Sequence, residues 1–183
     1  MDNRVELRLS LDDGSVNIPY STQESENGEA FPYQRLVDHP EQIDAIPEVR
    51  EFPRIRDALA RINQPGKAFE TARMLTWRDD EAGYSAVCAL GFFYQDRGLF
   101  ADQSHCYRFA GSLLSAMLGD EFMSQQAFAP MLEIQRAHLT TEQCSGWIMD
   151  LYLAGTSEKN QASADEELQR RVSWLADFLN RQT

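Results

Sequence analysis

Residues 4–11 alternate between apolar and polar positions. Val5, Leu7, Leu9 and Leu11 fall on one side, and Glu6, Arg8 and Ser10 on the other. A period of two is the signature of a strand with one buried face. Asp12-Asp13-Gly14-Ser15 carries turn chemistry, after which Val16, Ile18 and Tyr20 alternate again. Residues 1–20 are therefore expected to form a β-hairpin with one apolar face. A lone hairpin is marginal in water, so that face needs cover from the rest of the chain or from another strand. Residues 21–30 show no apolar period and read as a loop. Pro32, Pro40, Pro47 and Pro53 then punctuate the chain, so that only short helical turns fit in the stretch 21–53.

From residue 54 the spacing changes to a helical one. Ile55, Leu59 and Ile62 mark one short helix, stopped by Pro65-Gly66, and Phe69, Ala72 and Leu75 mark a second that reaches Trp77. After the polar break Arg78–Gly83, a third is expected from Tyr84 to Arg97, with Gly98 at its C′ position. A fourth, from Ala101 to Leu118, is apolar nearly all round and should lie at the centre of the fold. Asp120 can cap the next helix, which Pro130 should kink or split. Thr140–Gln143 fits a capping box for a helix carrying Cys144, Ile148 and Leu151 and ending at Gly155. A second box at Ser163–Glu166 opens the last helix, whose Leu168, Val172, Leu175 and Leu179 form one stripe. The expected fold is mainly α. It comprises an array of helical hairpins or an irregular bundle over residues 54–183, an N-terminal β-hairpin and a proline-punctuated linker.

Composition narrows the function classes. Lys and Arg total 17 against 29 Asp and Glu, a formal net charge of −12. Such a chain repels phosphates, which argues against nucleic acid as a partner and favours a basic protein. Three cysteines, Cys88, Cys106 and Cys144, have no metal-type spacing. They point to free thiols in a reducing compartment, and the expected localisation is cytoplasmic. The N-terminus lacks a basic segment followed by an apolar run, and no apolar stretch approaches the roughly 20 residues of a membrane span.

Leu90-Gly91, Tyr94, Gly98, Tyr107 and Ala110 stand at the spacing by which two antiparallel helices pack closely. On these residues, positions 84–117 resemble a single tetratricopeptide repeat. Gln103 and Ser115 depart from the pattern, where the repeat favours a small residue and proline. The resemblance implies a concave face lined by the first helix, and hence a partner-binding stripe of Ser85, Cys88, Phe92, Gln95 and Asp96. The competing reading places Phe92 and Cys88 in the core beneath the N-terminal hairpin.

Other constellations carry less. His105 and Cys106 project about 100° apart on a helix and cannot easily share a target. Asp79-Asp80-Glu81 lacks the spacing of a calcium loop and reads as capping charge. His39 and His138 stand alone. No nucleophile elbow, zinc helix, phosphate loop or dinucleotide fingerprint occurs. No catalytic residue, metal or cofactor is therefore assigned. The leading reading is a protein-binding module: an adaptor, chaperone or cognate inhibitor of immunity type, acting through a helical surface on another protein. The alternatives are a small hydrolase or transferase with dispersed residues, and a structural subunit that homodimerises. Limited proteolysis is expected to cut first within residues 21–30; primary cleavage inside residues 100–118 would overturn the division of the chain.

Overall fold

The computed structural model describes residues 4–11, 14–19, 35–78, 83–125 and 127–182. The expected loop at 21–30 and the acidic run Asp79–Glu81 lie outside the described residues. The strands are β1 (Glu6–Ser10), β2 (Val16–Ile18), β3 (Phe69–Arg78), β4 (Tyr84–Tyr94), β5 (Met131–Leu139) and β6 (Cys144–Ser157). The helices are α1 (Pro47–Glu51), α2 (Pro53–Ile62), α3 (Arg97–Ala101), α4 (Gln103–Gly119), α5 (Glu121–Ser124) and α6 (Gln161–Asn180), and a 3-10 turn spans Pro40–Ala45. The protein is thus mixed α/β, which corrects the expectation of a mainly helical fold.

Among the described residues the strands form one sheet in the order β1-β5-β6-β4-β3. β1 and β2 do not pair with each other as a hairpin. They lie end to end along β5, both parallel to it, with β1 beside Met131–Gln135 and β2 beside Ala137–Leu139. The remaining neighbours are antiparallel. The apolar alternation at β1 and β2 was a true strand signal, but the two strands run in the same direction instead of forming a reversed pair.

Register assigns each side chain to a face. On one face lie Leu90, Leu151 and Leu132 in one row and Phe92, Met149 and Ile134 in the next, all buried. Helices α2, α4 and α6 cover it. α6 crosses β6 and β4, and α2 packs alongside α6. Its contact is closest at Gly155, where an added Cβ would strike the backbone of Ala164 and Leu168. Phe109 of α4 joins Phe69, Phe92 and Tyr94, with ring centroids 4.5, 6.1 and 6.1 Å away. Among the described residues, the helix on the opposite face is α3, at one end. There Phe100 presses on Gly146 and meets Phe93 at 5.2 Å between ring centroids.

The two-sided burial explains why four strands resembled helices. Ile148 lies on the α3 side of β6 and Leu151 on the α6 side. Their three-residue spacing copies a helical stripe although they point apart. β5 changes its buried face midway: Leu132 and Ile134 face the helical layer, whereas Ala137 and Leu139 lie on the α3 side. β4 is apolar on both sides from Ala86 to Tyr94, which removes any period. Residues 84–94 being strand, the segment 84–117 is not a helical hairpin, and the tetratricopeptide-like description is withdrawn. Pro130 precedes a strand and its carbonyl accepts from Glu6 N at 2.8 Å. Thr140–Gln143 forms the β5–β6 turn instead of a cap, with Gln143 at φ 52°.

Helical signals backed by one-sided burial hold. α2 buries Ile55, Ala58, Leu59 and Ile62, and α6 buries Leu168, Val172, Leu175 and Leu179. Asp120 caps α5 by accepting from Met123 N at 3.0 Å. α6 begins earlier than expected, at an Asn160 cap that accepts from Ser163 N at 2.9 Å. Gly155→Ala is expected to cost about 3 kcal/mol or more, the upper end of overpacking, because the obstacle is helix backbone. That corresponds to a fall of roughly 10 °C in Tm. Gly111→Ala, on α4 with open space beside it, should be neutral or gain up to about 1 kcal/mol. Equal melting temperatures for the two variants would show that α6 does not seat on β6 as described.

Candidate binding face of the sheet

Beyond α3, no helix among the described residues lies over the second face of the sheet. One register row crosses it from edge to edge: Arg8 beside Glu133, then Asp150, then Gly91, then Arg73. Four charged side chains and one glycine thus stand side by side on five neighbouring strands. Arg73 reaches over β4 to Asp150, with Nε to Oδ1 and Nη2 to Oδ2 both at 2.8 Å. Gln135 Nε2 donates to Asp150 Oδ2 at 2.7 Å. Arg8 approaches Glu133 at 3.4 Å, Ser10 Oγ donates to Glu133, and Tyr152 Oη donates to Glu133 at 3.4 Å. Asp150 is only 2 % exposed, so its charge depends on these donors.

The glycine in this row is a requirement of packing. An added Cβ at Gly91 would stand 2.6 Å from Asp150 Oδ1, 2.8 Å from Arg73 Cγ and 2.9 Å from Ile148 Cδ1. Sequence reasoning singled out Gly91 as a tight crossing of two helices. The crossing exists, but it is a salt bridge passing over a strand. The Arg73 guanidinium is held above its ordinary pKa: burial alone would lower it, but the hydrogen bond and charge of Asp150 outweigh burial.

Next to the charged row, away from α3, the face turns apolar. The adjoining row is Glu6, Met131, Tyr152, Ala89 and Leu75, and the row after it contains Ala154, Val87 and Trp77. β4 presents only small residues here, Ser85, Val87, Ala89 and Gly91, between the larger side chains of β3 and β6. The result is a trough along β4, closed at one end by the Arg73–Asp150 bridge. Its open part holds a cleft of about 290 Å³ bordered by Trp77, Val87, Phe128, Met131, Tyr152 and Glu6. Leu75, Trp77 and Phe128 are 48, 39 and 45 % exposed. Such large apolar side chains gathered on one surface mark an interaction site more often than single exposed ones do.

Hydrogen bonds tie the surroundings together. Buried Arg171 of α6 donates to the carbonyls of Phe122 at 2.6 Å and Gln125 at 3.1 Å, anchoring the segment that leads to Phe128. Trp174 Nε1 donates to Asp120 at 2.9 Å beside the same segment. At the α3 end, buried Glu70 takes both Nε and Nη2 of Arg35 at 2.8 Å and Nη1 of Arg97 at 3.0 Å. Glu142 in the β5–β6 turn completes this cluster, its carboxyl held below the usual range chiefly by the hydrogen bond from Arg97.

The stripe expected for partner binding does not assemble. Cys88 and Phe92 point into the core, 1 and 0 % exposed. Gln95 donates to the carbonyls of Gln64 and Phe69, and Asp96 caps α3 by accepting from Leu99 N. Only Ser85 borders the cleft. The five positions were spaced for a helix; Ser85 lies on one face of β4, Cys88 and Phe92 on the other, and Gln95 and Asp96 follow the strand. The residues that do form the surface were Arg73, Trp77, Phe128, Glu133, Asp150 and Tyr152. Their one visible signal was a single acid inside an apolar run, Leu132-Glu133-Ile134 and Met149-Asp150-Leu151.

Catalytic chemistry finds little here. Burial pushes the Cys88 and Cys106 thiols up to about 12, so both stay protonated and unreactive at neutral pH. His105 Nδ1 lies 2.8 Å from Asp102 Oδ2 and 2.9 Å from Arg108 Nη2 at the start of α4. Among the described residues no group of three His, Cys, Asp or Glu is placed to hold a metal ion, and no helix is long and apolar enough to cross a membrane. No protein-family model, no curated protein and no solved structure matches the chain.

Removing one partner of the bridge should expose its dependence. Arg73→Met leaves Asp150 buried without its main donor and is expected to cost about 3 kcal/mol, the lower end for a broken buried pair because Arg73 is partly exposed. Adding Asp150→Asn should recover part of that loss. Chemical denaturation of the single and double variants checks this; additive losses would show that the two charges are not coupled.

Proposed function

We propose that the protein is a binding module for another protein and that the open half of the sheet is its contact surface. The observation that carries this reading is the asymmetry of the sheet. One face is layered by α2, α4 and α6 except at the edge strand β1, where Leu7 and Leu9 stay half exposed, whereas the other leaves Leu75 in solvent beside a cleft bordered by the exposed Trp77 and Phe128. The buried charged row and the hydrogen bonds of Arg171 brace that surface, and pre-organisation of this kind lowers the ordering cost of binding. Tyr, Trp, Phe, Met and Arg are the residue types enriched in interface centres, and this surface draws on all of them. An adaptor, a chaperone or an inhibitor of a basic effector would each use such a face. The net charge of −12 speeds encounter with basic partners.

The test uses the full chain as bait in an extract of its native host. Leu75→Glu places a charge on the open face at a half-exposed position. Asp57→Ala alters an exposed site on α2 on the layered side. A stoichiometric protein partner should be captured by wild type and Asp57→Ala and lost by Leu75→Glu, with all three melting within a few degrees of each other. A partner retained by Leu75→Glu, or no partner at all, overturns the reading.

A further inference from the structure

The cleft over β4 has a chemistry more specific than an apolar trough. Trp77 and Tyr152 both border it, with ring centroids 6.5 Å apart and planes inclined at 68°. Their strands flank β4, whose Val87 and Ala89 are small enough for the two rings to meet over them. The two rings meet edge to face, and a cation is attracted to an aromatic face within roughly 6 Å of its centroid. Phe128 adds a third ring, and the Glu6 carboxylate stands at the border. Aromatic walls with one carboxylate form the recognised surroundings of a desolvated cation.

We propose that this cleft receives a cationic side chain, an arginine of a basic partner segment. The inference rests on the binding reading above and names the chemistry of the partner. Arginine fits better than a purely apolar residue for two reasons. Its planar guanidinium stacks on aromatic faces, and its methylene stem can lie along Val87 and Ala89. Glu6 is tied to Arg4 at 3.1 Å, but both side chains are more than half exposed, so an incoming guanidinium can replace Arg4 there. A second copy of the chain fits poorly. The charged row reads plus, minus, minus, neutral, plus across the sheet, so a two-fold stacking along the strands sets Arg8 against Arg73.

The probe is N-acetyl-arginine methylamide, compared with its neutral isostere N-acetyl-citrulline methylamide and with N-acetyl-leucine methylamide. Binding to the purified full chain is followed by NMR shifts of the tryptophan indole N–H signals, assigned through single substitutions. The arginine compound should bind at least tenfold more tightly than either neutral compound and move the Trp77 signal. Tyr152→Leu and Trp77→Leu, which keep apolar bulk but remove a ring face, should each abolish that preference. Glu6→Gln should weaken arginine binding about threefold. Either ring variant suffices if the other fails to fold. Leucine binding as tightly as arginine, or no compound binding, overturns the proposal. Partner loss by Leu75→Glu without an arginine preference sinks this inference alone. An arginine preference without any captured partner sinks the functional reading and leaves the cleft chemistry standing.

Discussion

Strand β6 has helices against both of its faces, and the layout of the molecule follows from where each one meets it. On one side α6 approaches so closely at Gly155 that a single added carbon would meet helix backbone. On the other, Phe100 of α3 rests on Gly146. The two glycines stand nine positions apart, at opposite ends of the strand and on opposite faces. Helical cover is therefore staggered: α6 dominates one face and α3 holds only one end of the other. The bare half of the second face is the residue of that stagger.

Between the end held by α3 and the bare half runs the charged row. Burying Asp150 and Glu133 is costly unless donors reach them, and the sheet supplies Arg73, Gln135, Ser10, Tyr152 and Arg8 from four different strands. Each donor sits in register with its acceptor or one row away, so the row holds only if the strand pairing is correct. A one-residue slip would send these charges into the helical layer. The row thus ties the register to one arrangement and borders the open apolar surface with polar groups that are already satisfied.

Small residues along β4 turn the flat face into a trough. Val87 and Ala89 occupy the position that bulkier side chains would fill on an ordinary exposed strand, and Gly91 lets the Arg73–Asp150 bridge close the end. The walls come from Trp77 on β3 and Tyr152 on β6, separated by 75 positions in the chain. The remaining wall, Phe128, is carried on a segment that Arg171 anchors from behind.

The sequence by itself determined the elements whose burial is one-sided. The stripes of α2 and α6 were legible because one face of each meets the core and the other meets water, and the strands at residues 5–18 because their side chains alternate in type along an edge, although Leu7 and Leu9 stay half exposed. It also determined that Gly91 lies at a close approach and that lone acids interrupt apolar runs at 133 and 150. Only the tertiary structure decided what those signals meant. β4, β5 and β6 bury opposite faces at different points, so their apolar positions recur at three and four residues without forming one side, and local pattern could not separate that from a helix. The binding face was hidden for the same reason. It is a row across strands, built from residues 8, 73, 91, 133 and 150, and adjacency across a sheet is set by pairing register, which no local spacing encodes.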